Sequence, residues 1–184
     1  MSIPDYHTCC RLLEAYRVPE HIVDHSRQVA AAGVWLGDEL CRRGFEFDRR
    51  LLLSAGLLHD IAKMQSLEDG TDHAELGARW LEREGFPEVA EIVRNHVRLQ
   101  TDLDGPLVAR EIIFYADKRV RHREIVSVRE RMQDLRQRYG RNDFSSGWLK
   151  NLETLTLGVE KKIFAHLDLS PGDLAAGVGR IKIS

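Results

Sequence analysis

The sequence predicts an all-α fold, a bundle of about six to eight helices. Apolar residues recur at helical spacing in several segments of the 184-residue chain, which is long enough to bury a substantial core. No segment alternates between apolar and polar residues over a useful length, as a half-buried strand does. Proline, glycine and aspartate residues that favour helix starts and ends separate the apolar segments.

The first two predicted helices span residues 5–17 and about 20–43. Pro19 separates them, because the residue before a proline disfavours the helical backbone. Apolar residues recur at near-helical spacing along the second helix, and Gly44 is a suitable stop. This helix carries His25 near its start.

The third predicted helix, about 49–64, contains the run LLLSAGLLHDIAK, and Asp48 is its expected cap. The run ends in the doublet His59-Asp60. An imidazole and a carboxylate at the end of an apolar helix are costly to bury unless a partner neutralises them. A divalent cation is the simplest such partner.

A polar loop, SLEDGTD at 66–72, precedes a fourth predicted helix at about 73–84, with His73 in its first turn. The tripeptide Gly-Phe-Pro then separates this helix from a fifth, at about 87–98, which contains His96 near its end. Both histidines therefore lie near predicted helix ends.

A loop at 101–106 leads to the sixth predicted helix, which begins near Leu107 and reaches Asp117. The charged run KRVRHRE follows, and we expect it to form a solvated face of a further helix of mixed charge that ends near Tyr139. The alternative is that this run binds phosphate groups.

The segment GRNDFSSG predicts a turn, with Asp143 or Ser145 capping a last helix at about 146–167. Ser-Pro-Gly at 170–172 ends that helix. The tail to Ser184 has only weak patterning, so we expect it to be frayed or packed as an extended piece.

Composition narrows the function classes. A net charge of −2 gives no general attraction to nucleic acid or to anionic membranes. The three cysteines make an odd count that does not suggest a disulfide framework, which favours a cytoplasmic location. No apolar run approaches the length of a membrane span, and the first residues lack the pattern of a secretory signal.

The candidate metal ligands are histidine and aspartate residues that only a helical bundle could bring together. They are His25, His59, Asp60, His73, His96 and Asp117. Imidazole nitrogen combined with carboxylate oxygen suits iron, manganese, zinc or nickel without selecting among them. The other four histidines have no comparable context and are expected at the surface: His7, His21, His122 and His166.

The ordered set of motifs resembles the HD-domain metal-dependent phosphohydrolases. The matching segments are DHSRQVA, GLLHDIAK and FYADKRV, with HAELGA and VRNHV supplying two further histidines. The resemblance covers about residues 20–123, so 1–184 is expected to be a single domain in which 124–184 adds helices on or beside the core. HDIAK is similar to small single-domain bacterial hydrolases. Cyclic-dinucleotide phosphodiesterases of the superfamily usually show HDIGK and a later Gly-Tyr-Pro, which this chain lacks.

The resemblance implies two divalent transition-metal ions. His25, His59, Asp60 and Asp117 would hold one ion, His73 and His96 would hold the second, and Asp60 would bridge them. A bridging water then becomes hydroxide near neutral pH and attacks phosphorus. The implied activity is hydrolysis of a phosphate ester or anhydride bond in a nucleotide-like small molecule. Phosphomonoesterase, phosphodiesterase and pyrophosphohydrolase activities all remain open.

Three basic residues are expected to contact substrate phosphate, namely Lys63, Lys118 and Arg121. Lys63 follows the doublet at helical spacing and is assigned to the catalytic group with Asp60, either on phosphate or in the hydrogen-bond shell of the ligands. The alternative function is a non-catalytic metal-bearing module that senses a ligand or binds a protein or RNA.

The sequence does not determine the oligomeric state, and a homodimer is one possibility.

Overall fold

The computed structural model describes the backbone of residues 2–139 and 143–183, and the same side chains except those of 143–146. The all-α fold is confirmed. Ten α-helices occur in the described residues, more than the predicted six to eight, because two of them are short: α1 (Tyr6–Ala15), α2 (Glu20–Cys41), α3 (Arg49–Leu58), α4 (Lys63–Asp69), α5 (His73–Arg83), α6 (Pro87–Asn95), α7 (Ala109–Lys118), α8 (Val128–Tyr139), α9 (Asp143–Phe164) and α10 (Leu174–Val178).

Aspartate side chains start three of the helices. Asp5, Asp48 and Asp72 precede α1, α3 and α5, and each accepts a hydrogen bond from a backbone N–H of the first turn, at 2.7, 2.7 and 3.0 Å. These bonds satisfy amides that have no partner inside the helix. At the other end of α2, Gly44 takes the left-handed conformation with φ +91°, so the predicted stop is confirmed.

Helix α2 is the central element of the core, and α3, α7 and α10 pack against it. Two glycines allow close packing between the helices, one against backbone and one against a side chain. A Cβ on Gly56 of α3 would lie only 2.5 Å from Cα of Ala30 on α2. A Cβ on Gly33 of α2 would lie 2.6 Å from Cδ1 of Ile113 on α7. The helix that carries His25 is therefore in direct contact with both of the helices that lead to the other aspartate-containing motifs.

The predicted third helix at 49–64 is wrong in its extent. Helix α3 ends at Leu58, residues 59–62 form turns, and α4 then takes up part of the expected loop at 66–72. The turns are tight: the amide of Ile61 donates to Leu58 O at 3.1 Å, and that of Lys63 donates to Asp60 O at 3.0 Å. The break allows the two residues of the doublet to leave the helical direction.

The predicted helix of mixed charge that includes the run KRVRHRE is also wrong in its first part. A two-residue antiparallel ladder, β1 (Val120–Arg121) with β2 (Glu124–Ile125), interrupts it, and His122 in the turn has φ +57°. Helix α8 begins only after Ser127, whose hydroxyl accepts from the amide of Glu130 while the Glu130 carboxylate accepts from the amide of Ser127. This reciprocal pair is a capping box. The sequence interpretation missed it because the segment was expected to lie inside one continuous charged helix.

The residues after 124 pack on the helices before them. The side chain of Lys162 in α9, only 7% exposed, donates to buried Glu111 of α7 at 2.7 Å. Near the C-terminus α10 packs on α2, where Gly177 lies directly against the ring of Trp35. The expected extended or frayed tail thus contains a short helix. The predicted turn at 140–147 is wrong for residues 143–147, because α9 already begins at Asp143 and not near 146. Residues 140–142 and the side chains of the expected caps, Asp143 and Ser145, lie outside the described residues. None of the described helices is long and apolar enough to cross a membrane.

Gly56→Ala tests the contact between α2 and α3. We expect it to lower the free energy of unfolding by about 1–3 kcal/mol, because the added methyl group overlaps the Ala30 backbone. Gly147→Ala in α9 is the matched control, since its new Cβ would meet no described heavy atom within 4 Å beyond its chain neighbours and its own helix backbone. Alanine there should be neutral or stabilise by about 0.5–1 kcal/mol. Denaturant unfolding measures both, and equal effects would contradict the packing argument.

Candidate metal centre

His59 is the first residue after α3, and its ring is fully buried. Its Nδ1 lies 2.8 Å from Gly56 O. A carbonyl oxygen only accepts, so Nδ1 carries the hydrogen and Nε2 keeps its lone pair. The end of a helix offers carbonyls that lack an intrahelical partner, which explains why the ring finds one three residues back. The lone pair therefore points away from α3, toward the interior cluster.

His96 repeats this arrangement at the end of α6. Its buried ring has Nδ1 at 2.6 Å from Val93 O, so its Nε2 also carries the lone pair. A backbone carbonyl that fixes the tautomer and orientation of an imidazole is the usual support of a metal-ligating histidine. The rings of His59 and His96 are thus oriented in the same way, each with Nδ1–H on a carbonyl and a lone pair on Nε2.

One group of side chains forms around His59. Its Nε2 lies 3.6 Å from Asp60 Oδ2 and 3.7 Å from Asp117 Oδ1. The His25 Nε2 lies 3.1 Å from the same Asp117 oxygen. The side chains come from α2, the end of α3 and the last turn of α7. The four residues predicted to hold a first metal ion are brought together.

A second group forms around the other oxygen of Asp60. Its Oδ1 lies 3.2 Å from His73 Nε2 and 3.5 Å from His96 Nε2. The two histidine Nε2 atoms are themselves 3.1 Å apart. His73 begins α5, as predicted. Asp60 is therefore the residue that both groups share, through different oxygens.

The donor set fits divalent cations. His25, His59 and Asp60 can place one ligand atom each within 4.8 Å of one another, and so can Asp60, His73 and His96. The His59 Nε2 atom is buried and has no hydrogen-bond partner among the described residues. An unpartnered buried lone pair is costly. A cation that accepts it removes this cost, and nitrogen with carboxylate oxygen is a suitable ligand set for a transition metal.

The charges of the cluster suit this function. Burial lowers the pKa of His59 to about 3, despite the nearby aspartates, and also lowers the pKa of His96, so both rings are neutral. Burial alone would raise the pKa values of Asp60 and Asp117. Neighbouring cations and histidine hydrogen bonds instead hold both pKa values well below their usual range. Neutral imidazoles and ionised carboxylates are the forms that bind metal.

Comparison with known protein families agrees with this geometry. The family model described as HD domain matches residues 22–138, which include all six candidate ligands. The chain belongs to the HD domain family. The assignment confirms the resemblance seen in the sequence, and the helical fold is the one expected for it.

One curated relative of this HD domain chain is a tRNA (cytidine(56)-2'-O)-methyltransferase of Thermoplasma volcanium. It is 32% identical over 96 residues, which make up 52% of the present chain and 26% of the relative. The matched part is therefore about a quarter of that protein. No solved structure matches the chain.

The three basic residues expected to contact substrate phosphate differ in their exposure and in their distance from the ligand cluster. The Lys63 Nζ lies 3.3 Å from Asp60 Oδ1, and 35% of its side chain is exposed, so it can meet a ligand from solvent. Arg121 pairs with Glu124 at 2.8 Å. It lines a surface cavity, and none of the six candidate ligands is among the described residues around that cavity. Lys118 is buried and bonded within the protein. The structure therefore favours only Lys63 as a phosphate contact.

The sequence interpretation missed the backbone groups that orient the ligands. The carbonyls of Gly56 and Val93 fix His59 and His96, each from three residues earlier. A histidine directly after a helix could have indicated them, because its ring N–H can reach a free carbonyl of the last turn. The predicted ends of both helices lay beyond His59 and His96, so the two residues were placed inside the helices and this signal was lost.

His73→Ala and His96→Ala test the number of metal ions. Each should lower the number of ions bound per chain toward one, because each removes a nitrogen from the group around Asp60 Oδ1. Elemental analysis after equilibration with Mn²⁺ measures this, and exposed His7→Ala is the control. One metal per chain in the wild type and in both variants would remove the two-metal site.

Metal addition should also stabilise the fold. A free cation at about 100 times its dissociation constant should raise the free energy of unfolding by about 2.7 kcal/mol, because the ligands meet only in the folded chain. Thermal unfolding of chelator-treated protein with and without Mn²⁺ measures this. An unchanged midpoint across the titration would argue against a metal site.

Proposed function

We propose that the chain is a metal-dependent phosphohydrolase that cleaves a phosphate ester or anhydride bond of a nucleotide-like small molecule. Membership of the HD domain family supports the reaction class. The observation that carries the proposal is that Asp60 presents its two oxygens to two separate groups of imidazoles, with a partly exposed amine beside it. The chain from 1 to 184 is proposed to act as one domain.

The proposed ligands are those predicted from the sequence. His25, His59, Asp60 and Asp117 would hold one divalent cation, while Asp60 with His73 and His96 would hold another. When bound at such a site, divalent cations activate water at neutral pH and neutralise phosphate oxygens. The ligand chemistry admits iron, manganese, zinc or nickel.

The remaining work falls to the side chains. Lys63 offers the one described amine that lies beside Asp60 and is also open to solvent, so it would donate to a phosphate oxygen of the substrate. Nearby Asp60 and Asp117 raise its pKa although burial opposes them, so Lys63 is a cation at neutral pH. The buried rings of His59 and His96 keep fixed tautomers, which keeps their lone pairs available.

A second candidate is a non-catalytic metal-bearing module that senses a ligand or binds a protein. The observation that favours it is the similarity to about a quarter of a protein named for tRNA methylation, an activity unrelated to phosphate hydrolysis. Methyl transfer itself is not proposed for this chain. Turnover separates the two candidates, since a sensing module binds metal and ligand without product formation.

Asp60→Ala should lower kcat/KM by about 1,000-fold or more, since it removes a ligand from both groups. The measurement is product release from a panel of phosphorylated metabolites, with anaerobically purified protein supplied with Mn²⁺ or Fe²⁺. Exposed Asp104→Ala is the control and should keep full activity. Full activity of Asp60→Ala on every substrate of the wild type would overturn the proposal.

A further inference from the structure

Lys118 is buried, which is unusual for a lysine. Only 7% of its side chain is exposed, and lysine is almost never buried without partners. Its Nζ lies 2.7 Å from Asp117 Oδ2 and 2.6 Å from the backbone oxygen of His96. It also lies 4.6 Å from the centroid of the Phe114 ring, a favourable cation–π distance. All of these partners are within the protein.

These contacts join the two ligand groups. Asp117 directs Oδ1 to His25 and His59 and gives Oδ2 to Lys118. His96, whose backbone oxygen accepts the other bond, has its ring in the group with His73. A single amine therefore fixes a carboxylate of the first group and the backbone of the second.

We propose that Lys118 is a positioning residue that holds Asp117 and His96 in a fixed relation, so that the two groups of metal ligands are assembled before any cation binds. The inference rests on the metal site of the proposed function. It assigns Lys118 no contact with substrate, in place of the phosphate contact expected from the sequence.

Comparison with Lys63 supports this division. Both lysines donate to an aspartate of the cluster, yet 35% of the Lys63 side chain is exposed against 7% for Lys118. Water can replace the amine of Lys63 if that residue is changed. Water cannot readily replace Lys118, so its loss leaves Asp117 Oδ2 and the His96 carbonyl without a donor in the interior.

The test compares Lys118→Met with Lys63→Met in the full chain. Chelator-treated proteins are titrated with Co²⁺, and calorimetry gives affinity while visible absorption reports the ligand geometry. Lys118→Met should weaken Co²⁺ binding by about 10–100-fold and change the absorption bands, as expected when a supporting partner of a ligand is lost. Lys63→Met should keep the Co²⁺ affinity and bands of the wild type and raise KM for bis(4-nitrophenyl) phosphate, a generic phosphodiester probe.

Lys118→Arg, which keeps the charge and the donors, should recover part of the lost affinity. Should Lys118→Met fail to fold, Lys118→Gln replaces it with the same expected direction. If Lys118→Met kept the Co²⁺ affinity and absorption bands of the wild type and raised KM for the phosphodiester probe, the inference would be wrong. Lys118 would then contact substrate phosphate, as expected from the sequence. If the wild type binds Co²⁺ but hydrolyses nothing, the proposed function fails, whereas the titration still decides the role of Lys118.

Discussion

The buried carboxylate of Asp60 is the constraint on which the arrangement of the helices depends. A charge in the interior needs partners, and no single helix could supply enough of them. His73, His96 and Lys63 all approach the same oxygen, while His59 approaches the other. The start of α5, the end of α6 and the start of α4 must therefore meet at the end of α3. The contacts that surround Asp60 therefore fix the positions of these helices and form the ligand cluster at the same time.

The two lysines of the cluster balance the two aspartates, and burial separates their roles. With both histidine rings at the helix ends neutral, the amines of Lys63 and Lys118 lie against Asp60 and Asp117 at 3.3 and 2.7 Å, although burial lowers the pKa of Lys118. A cluster balanced in this way can fold without metal, because neither carboxylate is left as an isolated charge. Under the proposed function, Lys63 would exchange its aspartate for a phosphate group at the open side, whereas Lys118, enclosed by protein, would keep its partners.

The sequence was sufficient to select the six residues that meet, because their order and local motifs match the HD-domain pattern and, apart from the doublet, each lies in or beside a separate predicted helix. It was not sufficient to place the helix end before His59, because the apolar helical pattern continues past the doublet to Ile61. It also missed the hairpin at 120–125. Arg119 supports that turn through the carbonyls of Val126 and the distant Pro171, contacts that local charge patterns do not contain. For Lys118, the order of residues next to Asp117 says nothing about whether the amine points inward.

Helix ends explain why His59 and His96 suit this cluster. A histidine at a helix C-terminus is normally stabilised in its charged form, because the last carbonyls carry partial negative charge. Here burial opposes that effect and prevails, since the pKa of His59 falls to about 3 and that of His96 also falls. The ring then gives one N–H to the carbonyl of the last turn and keeps one lone pair. A carbonyl of the last helical turn thus orients the ring, so a histidine placed directly after the helix keeps its Nε2 lone pair available to a cation.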